Sequence, residues 1–114
     1  MFIAYEVSLE MIRCVRDVLP TLQRFDSDLA DQMKRAASSV VLNLAEGARM
    51  SGGNKRRHYE IAHGSANEVK GALDVAAAWG WIDDAALRAI LDRQLALLWR
   101  LTHGSARSTA RATG

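Results

Sequence analysis

Apolar and polar positions alternate every three or four residues through most of the chain, the period of helices that hide one side. From Ile3 to Leu19, the residues Ile3, Val7, Met11, Cys14, Val15 and Val18 share one side. Glu6, Glu10, Arg13, Arg16 and Asp17 take the other, so an amphipathic helix is predicted. Pro20 is expected to stop it, because the ring lacks an amide donor and disfavours helical geometry at the preceding residue. Thr21 to Asp26 then form a connection. Ser27 is the expected N-cap of a second helix, with Asp28 and Asp31 where the helix dipole favours negative charge.

The second helix, Asp28 to Glu46, gathers Leu29, Met33, Ala36, Ala37, Val40, Val41 and Leu44 in one arc. Beside the arc runs a polar stripe of Gln32, Arg35, Ser39, Asn43 and Glu46. No charged side chain occurs from Ala36 to Ala45, the pattern of a helix packed on more than one side. Gly47 is expected as its left-handed C-cap. After a turn from Ala48 to Gly53, Asn54 caps a third helix that runs to Gly80. Its inner side carries His58, Tyr59, Ile61, Ala62, Ser65, Ala66, Val69, Ala72, Leu73 and Ala76, and its outer side Arg56, Glu60, His63, Asn67, Lys70 and Asp74.

Folding these two helices back on each other brings Glu46 near Lys55, Ser39 near Ala62, and Arg35 near Ala66 to Glu68. Arg35, Ser39, Asn43, Glu46, Ser65 and Glu68 then form a structural polar seam, with an Arg35 to Glu68 ion pair across it. A ligand or RNA site is one reading of that seam. Register-fixing boundary residues are the other, favoured because the stripe adjoins the apolar arc and partly buried polar groups must be paired.

Gly64, Gly71 and Ala78 recur at heptad spacing, for which close helix approach is the expected reason, given that a mid-helix glycine costs about 1 kcal/mol relative to alanine. Gly80 ends the third helix between Trp79 and Trp81, which are expected to plug the end of the bundle. Asp83 or Asp84 caps a fourth helix, Ala85 to His103, that buries Leu87, Ile90, Leu91, Leu97, Leu98 and Leu101. Leu95 and Trp99 fall outside this arc and are the expected oligomer interface. The elements add up to an all-α fold, an antiparallel up-down four-helix bundle over residues 1–104, followed by a disordered basic tail, 105–114, carrying Arg107 and Arg111.

A chain of 114 residues with 49% hydrophobic content can bury one real core. The single Cys14 excludes an intrachain disulfide and reads as an inert core thiol in a reducing compartment. No apolar run approaches the roughly 20 residues that span a bilayer, so a cytoplasmic protein with no membrane contact is expected. Net charge is only +2, but basic charge collects in residues 31–60 and 91–114 and acidic charge in 1–30 and 61–90. Arg49, Lys55, Arg56 and Arg57 crowd the start of the third helix against its dipole. That opposition makes them the candidate nucleic-acid-binding residues.

Catalytic chemistry finds no support. Glu60-x-x-His63 has the spacing of di-iron bundles, but it occurs once and faces outward, so no metal site and no cofactor are expected. The glycine-rich turn lacks Gly-Lys-Ser/Thr and follows no strand, which excludes a P-loop. No nucleophile and base can be paired by spacing.

Arg35-Ala36-x-x-Ser39, Asn43-x-Ala45-Glu46-Gly47 and Ile61-Ala62-x-Gly64-Ser65-x-x-Glu68 resemble the signature of the bacterial four-helix-bundle proteins named after the intervening sequences of large-subunit ribosomal RNA. The resemblance spans roughly residues 5 to 100, one whole domain. It implies an up-down bundle and a homo-oligomer, a pentamer in several members. A related branch, the accessory variability determinants of diversity-generating retroelements, binds nucleic acid and a reverse transcriptase partner. Val41 stands where many members have proline, removing an expected kink, and His58 where many have a bulky apolar residue. Residues and resemblance together point to a non-enzymatic, self-associating bundle that binds RNA or DNA through the basic turn. The alternative is a protein-protein interaction scaffold that uses Leu95 and Trp99 with a protein partner.

Overall fold

The computed structural model describes residues 2–113, with side chains through Gly104, and the tail expected at 105–114 lies outside the residues described in full. Four helices, α1 (Ile3–Phe25), α2 (Ser27–Ala48), α3 (Gly52–Ala78) and α4 (Ala85–Thr113), account for its regular structure, and no strand occurs among the described residues. Helix α2 packs most extensively on α3, and α1 and α4 close the assembly by packing on each other and on α2 and α3 respectively. Phe25 stacks on Trp81 at 5.7 Å, which places the α1–α2 and α3–α4 connections together. Phe2 meets Tyr59 at 6.0 Å, so the start of α1 lies beside the α2–α3 turn. A 23-residue helix at about 1.5 Å per residue is roughly 35 Å long, and these two aromatic contacts therefore mark opposite ends.

The interior is built from Met11, Leu22, Met33, Val40, Leu44, Val69, Leu73, Leu87, Leu91 and Leu98, none with appreciable exposure. Each such side chain contributes about 1.5–3 kcal/mol by leaving water. Alanines at 36, 37, 62, 66, 72 and 76 are buried along α2 and α3, and these small side chains let the two helices approach closely.

Helix boundaries depart from the sequence pattern where tertiary contacts outweigh local preference. Pro20 does not stop α1, which continues to Phe25. The buried Val15, Val18 and Leu22 bracket the proline on the core side, while Pro20 itself is exposed, so the Arg16 carbonyl that loses its donor faces the solvent side. Asp26, not Ser27, caps α2: its Oδ1 accepts from the Leu29 N–H at 2.9 Å. Gly47 is no left-handed cap, because α2 runs through it to Ala48 and its φ is not positive. It is buried instead where α2 and α3 touch. At α3, Ser51 occupies the N-cap and Gly52, at φ 60°, is the first helical residue, so Asn54 falls inside the helix.

At the far end of α3 the Gly80 N–H bonds to the Ala77 carbonyl and the Trp81 N–H to that of Ala76, both at 2.9 Å. With Gly80 at φ 79° this is a Schellman cap. Of the two candidate caps for α4, Asp84 serves, accepting from the Leu87 N–H at 2.8 Å.

Three further expectations fail on burial. Gly64 and Gly71 are exposed, and a Cβ on either would meet nothing within 4 Å, so they mark no close approach inside the chain. Cys14 is only half-buried. Desolvation pushes its thiol up, and the carboxylates of Asp84, Asp17 and Glu10 push it further, so the thiolate is disfavoured. Helix α4 buries Gln94 and Thr102 in line with Leu87, Leu91 and Leu98, while Ile90, Leu97 and Leu101 sit at the margin. Gln94 Nε2 donates to Ser8 Oγ at 3.0 Å, and Ser8 donates to the Ala4 carbonyl at 2.7 Å. This polar contact between α1 and α4 lies wholly in the interior.

Candidate nucleic-acid interface

Lys55, Arg56 and Arg57 stand on the first turns of α3, which begins at Gly52, while Arg49 is the C-cap residue of α2. Ser51 makes no side-chain cap hydrogen bond, leaving the first N–H groups of α3 without a side-chain acceptor. Lys55 Nζ lies 6.0 Å from the centroid of the Tyr59 ring. Tyr59 is buried, and burial pushes its hydroxyl up, so it stays protonated. Gly52, Gly53, Lys55, Arg56, Tyr59 and Leu101 line a cleft of about 410 Å³. It combines cations, an aromatic edge and a helix N-terminus, three features that receive phosphate and base.

Two of the four cations are engaged on the surface. Arg49 Nη2 lies 3.3 Å from Glu46 Oε2, and Arg56 Nε lies 3.0 Å from Glu60 Oε1. Exposed pairs of this kind are worth about 0.2–1 kcal/mol and can be exchanged for a phosphate. Arg57 is exposed and forms no ion pair among the described residues.

The middle of the polar seam is assembled. Ser39 and Ser65 share a hydrogen bond of 2.8 Å between their hydroxyls. Asn43 Nδ2 donates to the Ser39 carbonyl at 2.9 Å and to Ser39 Oγ at 3.2 Å. Its Oδ1 lies 2.9 Å from His58 Nδ1. The ends are not joined. No ion pair links Arg35 to Glu68 among the described residues, both are exposed, and Glu46 turns to Arg49 within the turn. Ser39 meets Ser65 and not Ala62, one helical turn further along α3 than simple counting from the glycines places it. His58, met at the edge of the core, belongs to the seam and was not assigned to it by sequence. The available signal was a titratable residue on the inner side of α3, at a position where the resemblance implies a bulky apolar one.

Leu95 is half-buried and packs against the core, contrary to its expected exposure. Trp99 is 40% exposed and stacks on His103 at 4.2 Å with the planes 10° apart. His63, half-buried on α3, is held below its ordinary range by desolvation and by the charge of His103. Glu60 is taken by Arg56, and no group of three or more potential ligands that could hold a metal occurs among the described residues. Among those residues no helix is long and apolar enough to cross a membrane.

The sequence model of the family described as 23S rRNA-intervening sequence protein matches residues 3–102. The chain belongs to that family. Four helices with no strand among the described residues agree with the bundle that the resemblance implied. The match to the 23S rRNA-intervening sequence protein family takes in the whole polar seam, the basic turn, Leu95 and Trp99. No curated protein matches the chain. Family membership therefore places these residues in a common framework, and their chemistry has to be read from the geometry above.

Proposed function

We propose that this member of the 23S rRNA-intervening sequence protein family is a non-enzymatic, antiparallel up-down four-helix bundle that self-associates and binds RNA or DNA through its basic turn. The observation carrying the binding reading is the cleft in which Lys55 and Arg56 flank Tyr59 at the uncapped start of α3. Arg49 and Arg57 extend its positive rim. Leu101 of α4 also lines the cleft. The seam of Ser39, Asn43, His58 and Ser65 holds α2 and α3 in register and thereby positions the cations.

The experiment is a titration of labelled single-stranded and duplex RNA and DNA by fluorescence anisotropy across salt. Four phosphate contacts lower affinity about 100-fold between roughly 50 and 200 mM salt. Changing Arg49, Lys55, Arg56 and Arg57 together to alanine should abolish the interaction, and undiminished binding by that variant rejects the assignment.

A scaffold that contacts a protein through Trp99 is the second reading. It is favoured by the neutralisation of Arg49 and Arg56 by Glu46 and Glu60. Under that reading Trp99→Ala disrupts association while the quadruple alanine variant does not.

A further inference from the structure

Away from the basic turn, α2 borders two open clefts that share Lys34 and Ser38 as a common wall. The first, of about 420 Å³, lies between α1 and α2 and is lined chiefly by Ile12, Val15, Leu19, Pro20 and Ala37. Val15 and Ala37 are buried beneath it, and Ile12 and Leu19 are half-buried beside them, so its surface is largely hydrocarbon. From Ile12 to Gln23, which also lines it, α1 advances about 16 Å. The second cleft, of about 530 Å³, opens along α2 itself and is polar: Lys34, Arg35, Ser38, Ser39 and Asn43 all reach it. Both volumes are of the size that holds a small molecule.

The polar groups of the second cleft are not equally available. Ser39 and Asn43 are bonded to each other and onward to Ser65 and His58. Lys34 and Arg35 are exposed, and neither forms an ion pair among the described residues. The failure of Arg35 to meet Glu68 therefore leaves a guanidinium beside an ammonium, with the exposed Ser38 hydroxyl between the two clefts. An apolar groove that ends at two uncommitted cations sets two requirements on an occupant. It needs a chain that gains by leaving water, and an anionic head that can take the fork of Arg35 and the point charge of Lys34. A neutral hydrocarbon leaves the cations unused, and a polyanion leaves the groove unfilled. The exposed Asp31, one helical turn from Arg35 and lining the same cleft, disfavours a head with several negative charges.

We infer that these adjoining clefts form a binding site for a free medium-chain fatty acid, its alkyl chain along the α1–α2 groove and its carboxylate at Lys34 and Arg35. None of Arg49, Lys55, Arg56 and Arg57 lines either cleft, so the site is separate from the nucleic-acid reading above and stands or falls without it.

Isothermal titration of the full chain with octanoate, decanoate and dodecanoate, each kept below its micellar concentration, tests this. Affinity should rise about two- to fourfold with each added methylene that the groove covers. Methyl decanoate, which has the chain without the charge, should bind about tenfold more weakly than decanoate or worse. Changing Lys34 and Arg35 together to glutamate should weaken decanoate by a similar factor and leave the ester's affinity unchanged, while Asp31→Asn should strengthen decanoate. All three positions are exposed, and helix content of each variant is checked by circular dichroism. On the unaltered protein, decanoate should move the methyl resonances of Ile12, Val15 and Leu19 in a carbon-proton correlation spectrum. Absence of binding by decanoate and dodecanoate overturns the proposal, as do shifts confined to methyls outside the groove. Equal affinity for acid and ester rejects Lys34 and Arg35 as the head site. Binding to vesicles of anionic phospholipid without binding to the monomeric acids rejects the free fatty acid as the occupant.

Discussion

Gly47 lies so close to the Tyr59 ring that a Cβ on residue 47 would stand 2.7 Å from Tyr59 Cε1 and 2.9 Å from Cδ1. Tyr59 is buried and its ring also meets Phe2, so it has little room to turn away. Alanine at 47 gains about 1 kcal/mol of helix propensity, but overpacking costs about 1–3 kcal/mol. The net expectation for Gly47→Ala is lower stability in urea unfolding. Gly64→Ala and Gly71→Ala, where the new methyl meets nothing, should each raise stability by up to about 1 kcal/mol. If all three variants shift the midpoint in the same direction, close approach at Gly47 is not what selects glycine.

Pro20 sits inside α1 with its ring toward solvent. Replacing it by alanine restores a donor for the Arg16 carbonyl and removes a clash, against an interior-proline cost of about 3 kcal/mol. Part of this gain is offset because proline also restricts the unfolded chain. Pro20→Ala should therefore stabilise the protein by about 1–2 kcal/mol, seen as a higher urea midpoint with an unchanged m-value. A loss of stability would show that the restriction proline places on the unfolded chain outweighs the missing helical hydrogen bond.

The buried Ser8–Gln94 contact is only half satisfied. Gln94 Nε2 reaches Ser8 Oγ at 3.0 Å, but Gln94 Oε1 is the one buried side-chain acceptor without a partner among the described residues. Gln94→Leu removes that orphan while Ser8 keeps its bond to the Ala4 carbonyl, so stability should hold or rise by about 1 kcal/mol. Ser8→Ala strands Gln94 Nε2 as well and should cost about 1–3 kcal/mol. A double-mutant cycle across the pair, followed by denaturant unfolding, separates the two effects.

Periodicity alone placed the four helices, because each must hide one stripe and each of the three connections is marked by glycine or aspartate. The boundaries were less legible. Pro20 reads locally as a stop, yet Val15, Val18 and Leu22 continue one buried row on both sides of it, and that row is visible only when the partners on α2 and α4 are in place. Gly47 and Gly64 look alike in the sequence, yet one supports a tyrosine ring and the other faces open space. In the seam, Ser39 and Asn43 were legible as polar residues flanking an apolar arc, while the pairing of Asn43 with His58 depended on the register of two helices. Arg35 and Glu68 failed to pair because long exposed side chains gain too little from an ion pair to be held in one geometry. Ser8 and Gln94 gave no signal, each being an ordinary polar residue whose neighbours alone decide its burial.

His63 supplies a pH dependence. Its pKa is lowered from 6.5, first by burial and then by His103, so the folded protein binds a proton there less readily than the unfolded chain. Stability from this group is fully present above the unfolded value and is lost as pH falls from 6.5 through the lower folded value. Urea midpoints should therefore decline between about pH 7 and pH 5, before most carboxylates titrate. His63→Gln should flatten that decline, and His103→Gln should shrink it by removing the neighbouring cation. An equal decline in the His63→Gln variant would assign it to other groups.

Arg56 and Arg57 stand side by side at the start of α3 but should respond differently to substitution. Arg57, with no ion pair among the described residues, can meet a phosphate without first breaking another contact. Arg57→Ala should weaken binding evenly across nucleic-acid sequences and reduce the salt slope by about 1. Arg56 must leave Glu60, which it holds at 3.0 Å, before it can do the same. Glu60→Gln frees it, and affinity at low salt should rise by about 1.5- to 5-fold, the equivalent of the roughly 0.2–1 kcal/mol that such an exposed pair is worth. The added charge on the surface should also steepen the salt dependence. Anisotropy titrations of the two variants against the same oligonucleotide measure both quantities. An Arg57→Ala variant with the wild-type salt slope, together with a Glu60→Gln variant of unchanged affinity, would mean that the start of α3 does not touch the phosphate backbone.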